Sequence, residues 1–116
     1  MEEKGNTKMR VSELVGKAGL KAFNEVGDKE IKGVYISDMV SDIIGMQEGN
    51  LLITLQTHKN LIAAANLVDV AAVVFSRGKI PAEDVVALAN KAGIKLLGFE
   101  GDNWTLAKKL YELGVR

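Results

Sequence analysis

The chain has no cysteine, which excludes disulfide frameworks, thiolate nucleophiles, iron–sulfur ligation and every cysteine-bearing zinc site. A single histidine, His58, remains as a soft ligand, with no second histidine at metal-ligand spacing, so no metal site is expected. Neither sign of charge dominates, since Lys plus Arg and Asp plus Glu both number 15. No global field would hold nucleic acid or an anionic membrane to the surface, and neither partner is expected. Long apolar runs are also missing. The longest, around residues 71–75, falls far short of the roughly 20 residues that cross a bilayer. The first ten residues are polar and charged, which does not support a signal peptide, and a cytoplasmic location is expected.

Catalytic motifs are equally scarce. The Gly-Lys pairs Gly16-Lys17 and Gly78-Lys79 are followed by Ala18 and Ile80, so neither completes a P-loop, and no G-x-G-x-x-G opens a dinucleotide site. No G-x-S-x-G elbow is present to pair a serine with the lone imidazole. Asp38, Asp42, Glu100 and Asp102 lack the phosphate cradle that would suggest Mg²⁺. The expectation is a protein that is not an enzyme and carries no cofactor.

What is present is a regular alternation. At 116 residues with 47% apolar content the chain fills one core and no more. Residues 1–8 are polar and read as a frayed tail; 9–116 read as one domain. Val11, Leu14, Val15 and Ala18 recur at helical spacing, and Gly19 sits where a helix stops. Two short strands are expected over 21–26 and 33–36, around the turn signal Gly27-Asp28-Lys29. Helical and short apolar segments then alternate to the C-terminus. A helix through Met39, Val40, Ile43, Ile44 and Gln47 precedes a strand over 51–55. A second through Leu61, Ile62, Ala65 and Val68 precedes a strand over 71–75. A third opens near Pro81 and runs through Val85, Leu88, Ala89 and Ala92 to Gly93, before a strand over 94–99. A closing helix over 103–113 uses Ala107, Leu110 and Tyr111. This pattern predicts an α/β fold, a single layered domain whose largely parallel sheet is flanked by helices.

In parallel sheets ligands sit beyond the carboxyl ends of the strands, and the polar residues collect there. The candidate ligand-binding set is Ser37 and Asp38 after one strand; Gln56, Thr57, His58 and Asn60 after the next; Ser76, Arg77 and Gly78 after the third; and Asp102 after the last. Free N–H groups at helix starts, with Arg77 and Lys79, would favour an anion. Each residue also has a plain structural reading. Thr57 and Asp102 read as N-caps, as does Ser37 or Asp38, while Asp42 reads as a solvated side chain. His58 reads as a satisfied or exposed histidine, and Gly78 as a turn residue with positive φ.

The phrases Val34-Tyr35-Ile36-Ser37-Asp38-Met39-Val40-Ser41-Asp42 and Ile53-Thr54-Leu55-Gln56-Thr57-His58-Lys59-Asn60 resemble those of stand-alone DRTGG-domain proteins. The likeness extends from about residue 10 to 115. Where the wider family has Asp-Arg-Thr-Gly-Gly-like elements, this chain has Gln56-Thr57-His58 and Ser76-Arg77-Gly78. Such domains resemble the N-terminal domain of HPr kinase/phosphorylase, whose nucleotide chemistry belongs to a separate P-loop domain absent here. The resemblance implies a non-catalytic regulatory or ligand-sensing module that forms a homodimer and takes a small anionic ligand or nucleotide at the strand ends. Its alternatives are an accessory subunit docking on a redox, hydrogenase or kinase system, and an uncharacterised enzyme. Trp104, Tyr111, Val115, Met39 and Met46 read either as an exposed dimer face or as the last of the core.

Overall fold

The most apolar segments become the middle of the sheet, because a strand buried on both faces has no place for polar side chains. The computed structural model describes residues 8–115; of the tail expected over 1–8, only Lys8 lies among the described residues, and it is exposed. In chain order the elements are β1 (Met9–Arg10), α1 (Val11–Ala18), β2 (Lys21–Ala22), β3 (Glu30–Ile31), β4 (Gly33–Ile36), α2 (Val40–Ile43), β5 (Asn50–Thr54), α3 (Lys59–Leu67), β6 (Ala72–Phe75), α4 (Glu83–Ala92), β7 (Leu96–Gly98) and α5 (Asn103–Glu112). The main sheet has the order β2-β7-β6-β5-β4. Strands β4 to β7 run parallel, each beside its successor in sequence, and β2 pairs antiparallel with β7. β1 and β3 form a separate antiparallel ribbon. The α/β architecture read from the sequence is the one observed.

Alternation along the strands divides the interior into two cores. Leu51, Ile53, Ala72, Val74 and Leu97 face one side, where Leu14 and Ala18 of α1 and Leu106 and Leu110 of α5 cover them. Leu52, Val73, Phe75 and Leu96 face the other, against Ile43, Leu61, Ile62, Ala65, Val85 and Ala89. Successive crossovers of one hand place α2, α3 and α4 together on that second face. Phe75 and Leu51, Leu52 and Ile53 of β5 are fully buried, each stabilising the fold by about 1.5–3 kcal/mol. Gly19 and Gly93 end α1 and α4 in the left-handed conformation, as their positions suggested.

Several elements differ from the pattern reading. The strand expected over 21–26 stops at Ala22, because the Asn24 side chain then takes over the edge of β7. Its amide donates to the Ile94 carbonyl (2.9 Å) and accepts from the Leu96 N–H (3.0 Å). The helix through Met39 to Gln47 shortens to Val40–Ile43 and continues as turns. Pro81 lies ahead of the N-cap, Ala82, and is itself buried rather than opening α4. In α5 the buried stripe is Leu106 and Leu110. Tyr111 of the expected stripe points to solvent, because the neighbouring leucine stripe fills the core better.

Candidate functional site

The parallel register brings four loops to one rim. Ile36 is opposite Ile53, Thr54 opposite Phe75 and Phe75 opposite Gly98, so β4, β5, β6 and β7 end side by side. Backbone bonds carry the register past the strands: Ser37 N–H donates to the Ile53 carbonyl (3.2 Å), Ser76 N–H to Thr54 (3.2 Å) and Phe99 N–H to Phe75 (2.9 Å). The loops bearing Ser37, Gln56, Arg77 and Asp102 therefore follow neighbouring strand ends.

Within this rim half of the candidates are engaged in holding the loops. The Asp38 carboxylate accepts from the Thr54 hydroxyl (2.9 Å) and the Leu55 N–H (2.7 Å), tying the β4 loop to the end of β5 rather than capping α2. Ser37 Oγ accepts from Met39 N–H (3.2 Å). Asp42 is no idle solvated group. It accepts from the Tyr35 hydroxyl (2.8 Å), and the Ser37 hydroxyl and Tyr35 hold its carboxyl below the usual carboxylate range, while the same contact pushes Tyr35 up. Ser76 is completely buried and its hydroxyl bonds Asn103 Oδ1. Asp102 does cap α5, accepting from Thr105 N–H (2.8 Å). Its carboxyl is held low first by the Thr105 hydroxyl and then by that N–H, with the Arg77 charge adding to the effect.

Arg77 and Gly78 both have positive φ, 60° and 69°, and Lys79 N–H returns to the Ser76 carbonyl (3.2 Å), the pattern of a type I′ turn. For Gly78 this conformation is free of strain, but for Arg77 it costs about 1–2 kcal/mol. The turn is held by Arg77 N–H to the Gly101 carbonyl (2.8 Å) and Gly78 N–H to Phe99 (2.9 Å). These two N–H groups are thus committed within the protein and form no anion cradle. The Arg77 side chain is left exposed, with no ion pair among the described residues.

The start of α3 departs from expectation in a useful way. Its N-cap is His58, not Thr57, and no side chain caps it. Gln56, Thr57, His58 and Asn60 make no side-chain hydrogen bond among the described residues, and the first turn contains no acid. Lys59 reaches across to Asp84 in the first turn of α4 (3.4 Å), an exposed pair of small energetic weight. Arg77 and residues 56–60 are the members of the set whose side chains remain available.

The marked concavities lie elsewhere. A hollow of about 500 Å³ runs along α5, lined by Trp104, Ala107, Lys108, Tyr111 and Glu112. A second, of about 260 Å³, lies between α5 and β4, lined by Val34, Ile36, Ala107, Leu110, Tyr111 and Val115. Trp104 is 75% exposed, Tyr111 60% and Ile36 45%, and Met39 is exposed, whereas Met46 and Val115 are buried. The five residues read as face or core thus divide between the two. The sequence signal for this groove is the second apolar stripe of α5, one residue out of phase with the leucines. Among the described residues no cluster of acids and histidine is arranged to hold a metal, and no helix is long and apolar enough to cross a membrane.

No family model and no curated protein matches the chain. Among solved structures it is similar to the CBS and DRTGG domains of the regulatory region of Clostridium perfringens pyrophosphatase, a crystal structure complexed with the activator diadenosine tetraphosphate. The TM-score is 0.67 at 16% identity, over 86% of this chain. The chain has a CBS/DRTGG-like α/β fold. It spans 45% of the length of that regulatory region, and at this identity the likeness is one of fold.

Proposed function

We propose that residues 9–116 form a stand-alone DRTGG-type regulatory module, related to the N-terminal domain of HPr kinase/phosphorylase, that acts as a homodimer and senses a small anionic ligand at the rim. The supporting observation is the convergence of four parallel strand ends on one edge, with the uncapped start of α3 on the β5 loop and the exposed Arg77 on the adjacent β6 loop. Of the sequence candidates, Gln56, Thr57, His58, Asn60 and Arg77 would contact the ligand. Ser37, Asp38, Ser76, Gly78 and Asp102 would hold the loops that present them. The similar pyrophosphatase region was solved with a dinucleoside polyphosphate activator, and a nucleotide or polyphosphate is the ligand class that suits a guanidinium beside a helix start. The module does no chemistry of its own: His58 is exposed, with no partner among the described residues to orient it as a base. It works in the cytoplasm.

Thermal unfolding with inorganic phosphate, ATP and diadenosine tetraphosphate at millimolar concentration tests this. Binding to the folded state stabilises by about 2.7 kcal/mol at a hundredfold excess over Kd, so a rise in Tm is expected that Arg77→Ala removes. No shift with any of the three would overturn the ligand-sensing reading. The apolar groove along α5 favours a second one, an accessory subunit docking on a redox or kinase partner, which predicts no such shift.

A further inference from the structure

We propose that a second copy of this chain adds edge to edge at β4, continuing the sheet antiparallel across a two-fold axis and closing the groove between β4 and α5. This rests on the homodimer reading and names its face. β4 is the outer strand of the sheet. Because Ser37 N–H bonds inward to Ile53 and ladder bonds alternate, Tyr35 also bonds inward, which leaves the backbone N–H and C=O groups of Val34 and Ile36 pointing outward. An exposed row of this kind takes another extended strand. The sequence Gly33-Val34-Tyr35-Ile36 has no charge and no proline to discourage one.

The edge is complementary to itself in register. An axis at Tyr35 sets Val34 opposite Ile36 of the second copy and Ile36 opposite its Val34. Those are the two residues with outward groups, so both pairs exchange hydrogen bonds while Tyr35 faces Tyr35 as a non-bonded pair. Opposed residues in an antiparallel sheet share a face. The Val34 and Ile36 side chains, which line the smaller hollow with α5, therefore meet those of the second copy beneath the two α5 helices. Charge fits as well. Lys108 and Glu112, of opposite charge and one turn apart, line the hollow along α5 with no ion pair among the described residues, and an antiparallel pair of α5 helices would present the two charges in opposite order across the seam. Area points the same way. Complete burial of an aromatic side chain covers on the order of 150–250 Å²; Trp104 and Tyr111, still 75% and 60% exposed, together have about a third of the roughly 800 Å² per partner of a standard interface left to give. The groove that α5 and β4 leave open is closed by the same contact that pairs the strands.

Sedimentation velocity over a concentration series reads the assembly, and a dimer is expected. Ile36→Lys and Trp104→Asp are each expected to raise the dissociation constant at least tenfold, with the far-ultraviolet circular dichroism unchanged. The absence of native cysteine makes a direct geometric test possible. At a non-bonded antiparallel pair the Cα atoms lie about 4.5 Å apart, within disulfide range. Mild oxidation should therefore give a covalent dimer from Tyr35→Cys and none from Ser41→Cys on exposed α2. A dimer that survives both charge substitutions without crosslinking at residue 35 overturns this face and leaves the homodimer standing. A chain monomeric at every concentration overturns both. A monomer that instead binds an added extended apolar peptide replaces the second copy with a partner strand.

Discussion

On its β7 side the sheet is covered and tied; on its β4 side, among the described residues, it is open. β2 pairs along β7, Phe23 N–H bonds the Leu96 carbonyl (2.9 Å), the Asn24 amide takes one donor and one acceptor of the Ile94–Leu96 segment, and Lys95 Nζ reaches the Asn24 carbonyl (2.9 Å). The Phe23 ring lies over Gly98, where a side-chain Cβ would come within 2.8 Å of it. The loops beyond follow suit, since the β6 turn is bonded to the β7 loop and Asp102 caps α5. β4 has no such strap among the described residues, and the hollow beside it is apolar. An edge that must not pair is given cover and charge, whereas one left flat and apolar is free to be used. The difference teaches that the tying contacts gather on one side of this small sheet, which leaves the other as the side where we place the interaction.

That contrast can be broken at its covered side first. Asn24→Ala leaves the Leu96 N–H and the Ile94 carbonyl without their partner in a buried place, so a loss of about 1–3 kcal/mol is expected, a fall in Tm on the order of 10 °C. Oligomeric state should not change, and sedimentation alongside calorimetry checks both. If Asn24→Ala dissociates the protein, the two sides are not separate. Arg77→Gly should act in the opposite direction. It removes the left-handed strain of a non-glycine residue while adding chain entropy to the unfolded state, for a net gain of about 0.5–1 kcal/mol seen in denaturant titration. It should also lose the response to phosphate.

The smallest effect is expected at Asp102. Its folded pKa lies below the unfolded value of about 3.9, so its contribution is complete above that value and disappears as pH falls through the folded pKa. Asp102→Asn retains an oxygen for the cap but has no such titration. Its Tm should match that of the parent closely at pH 7 and fall less steeply below about pH 4, and an equal acid slope in both proteins would remove Asp102 from the account.

Periodicity made most of the architecture legible. Strands β5 and β6 are apolar at successive positions, so no other placement than the middle of a sheet suits them, and the glycines at 19 and 93 mark helix ends because the next backbone conformation is left-handed. The rim followed from the parallel order. The division of labour within it did not. Nothing local distinguishes Asp38, which reaches 16 residues to Thr54 and binds a loop, from a ligand-facing acid, and nothing local moves the cap of α3 from Thr57 to His58. The same holds for α5, where two apolar stripes lie side by side and either would have satisfied the pattern.

The amino-acid sequence alone determined the α/β class, the alternation of elements and the strand ends at which polar residues gather, because these depend on side-chain spacing within a few residues. Only the tertiary structure decided which stripe of α5 is buried, which candidates hold the rim together and which remain free, and which edge of the sheet stays open. Those outcomes depend on contacts between segments far apart in the chain, where competing local choices of similar energy are settled by what they meet.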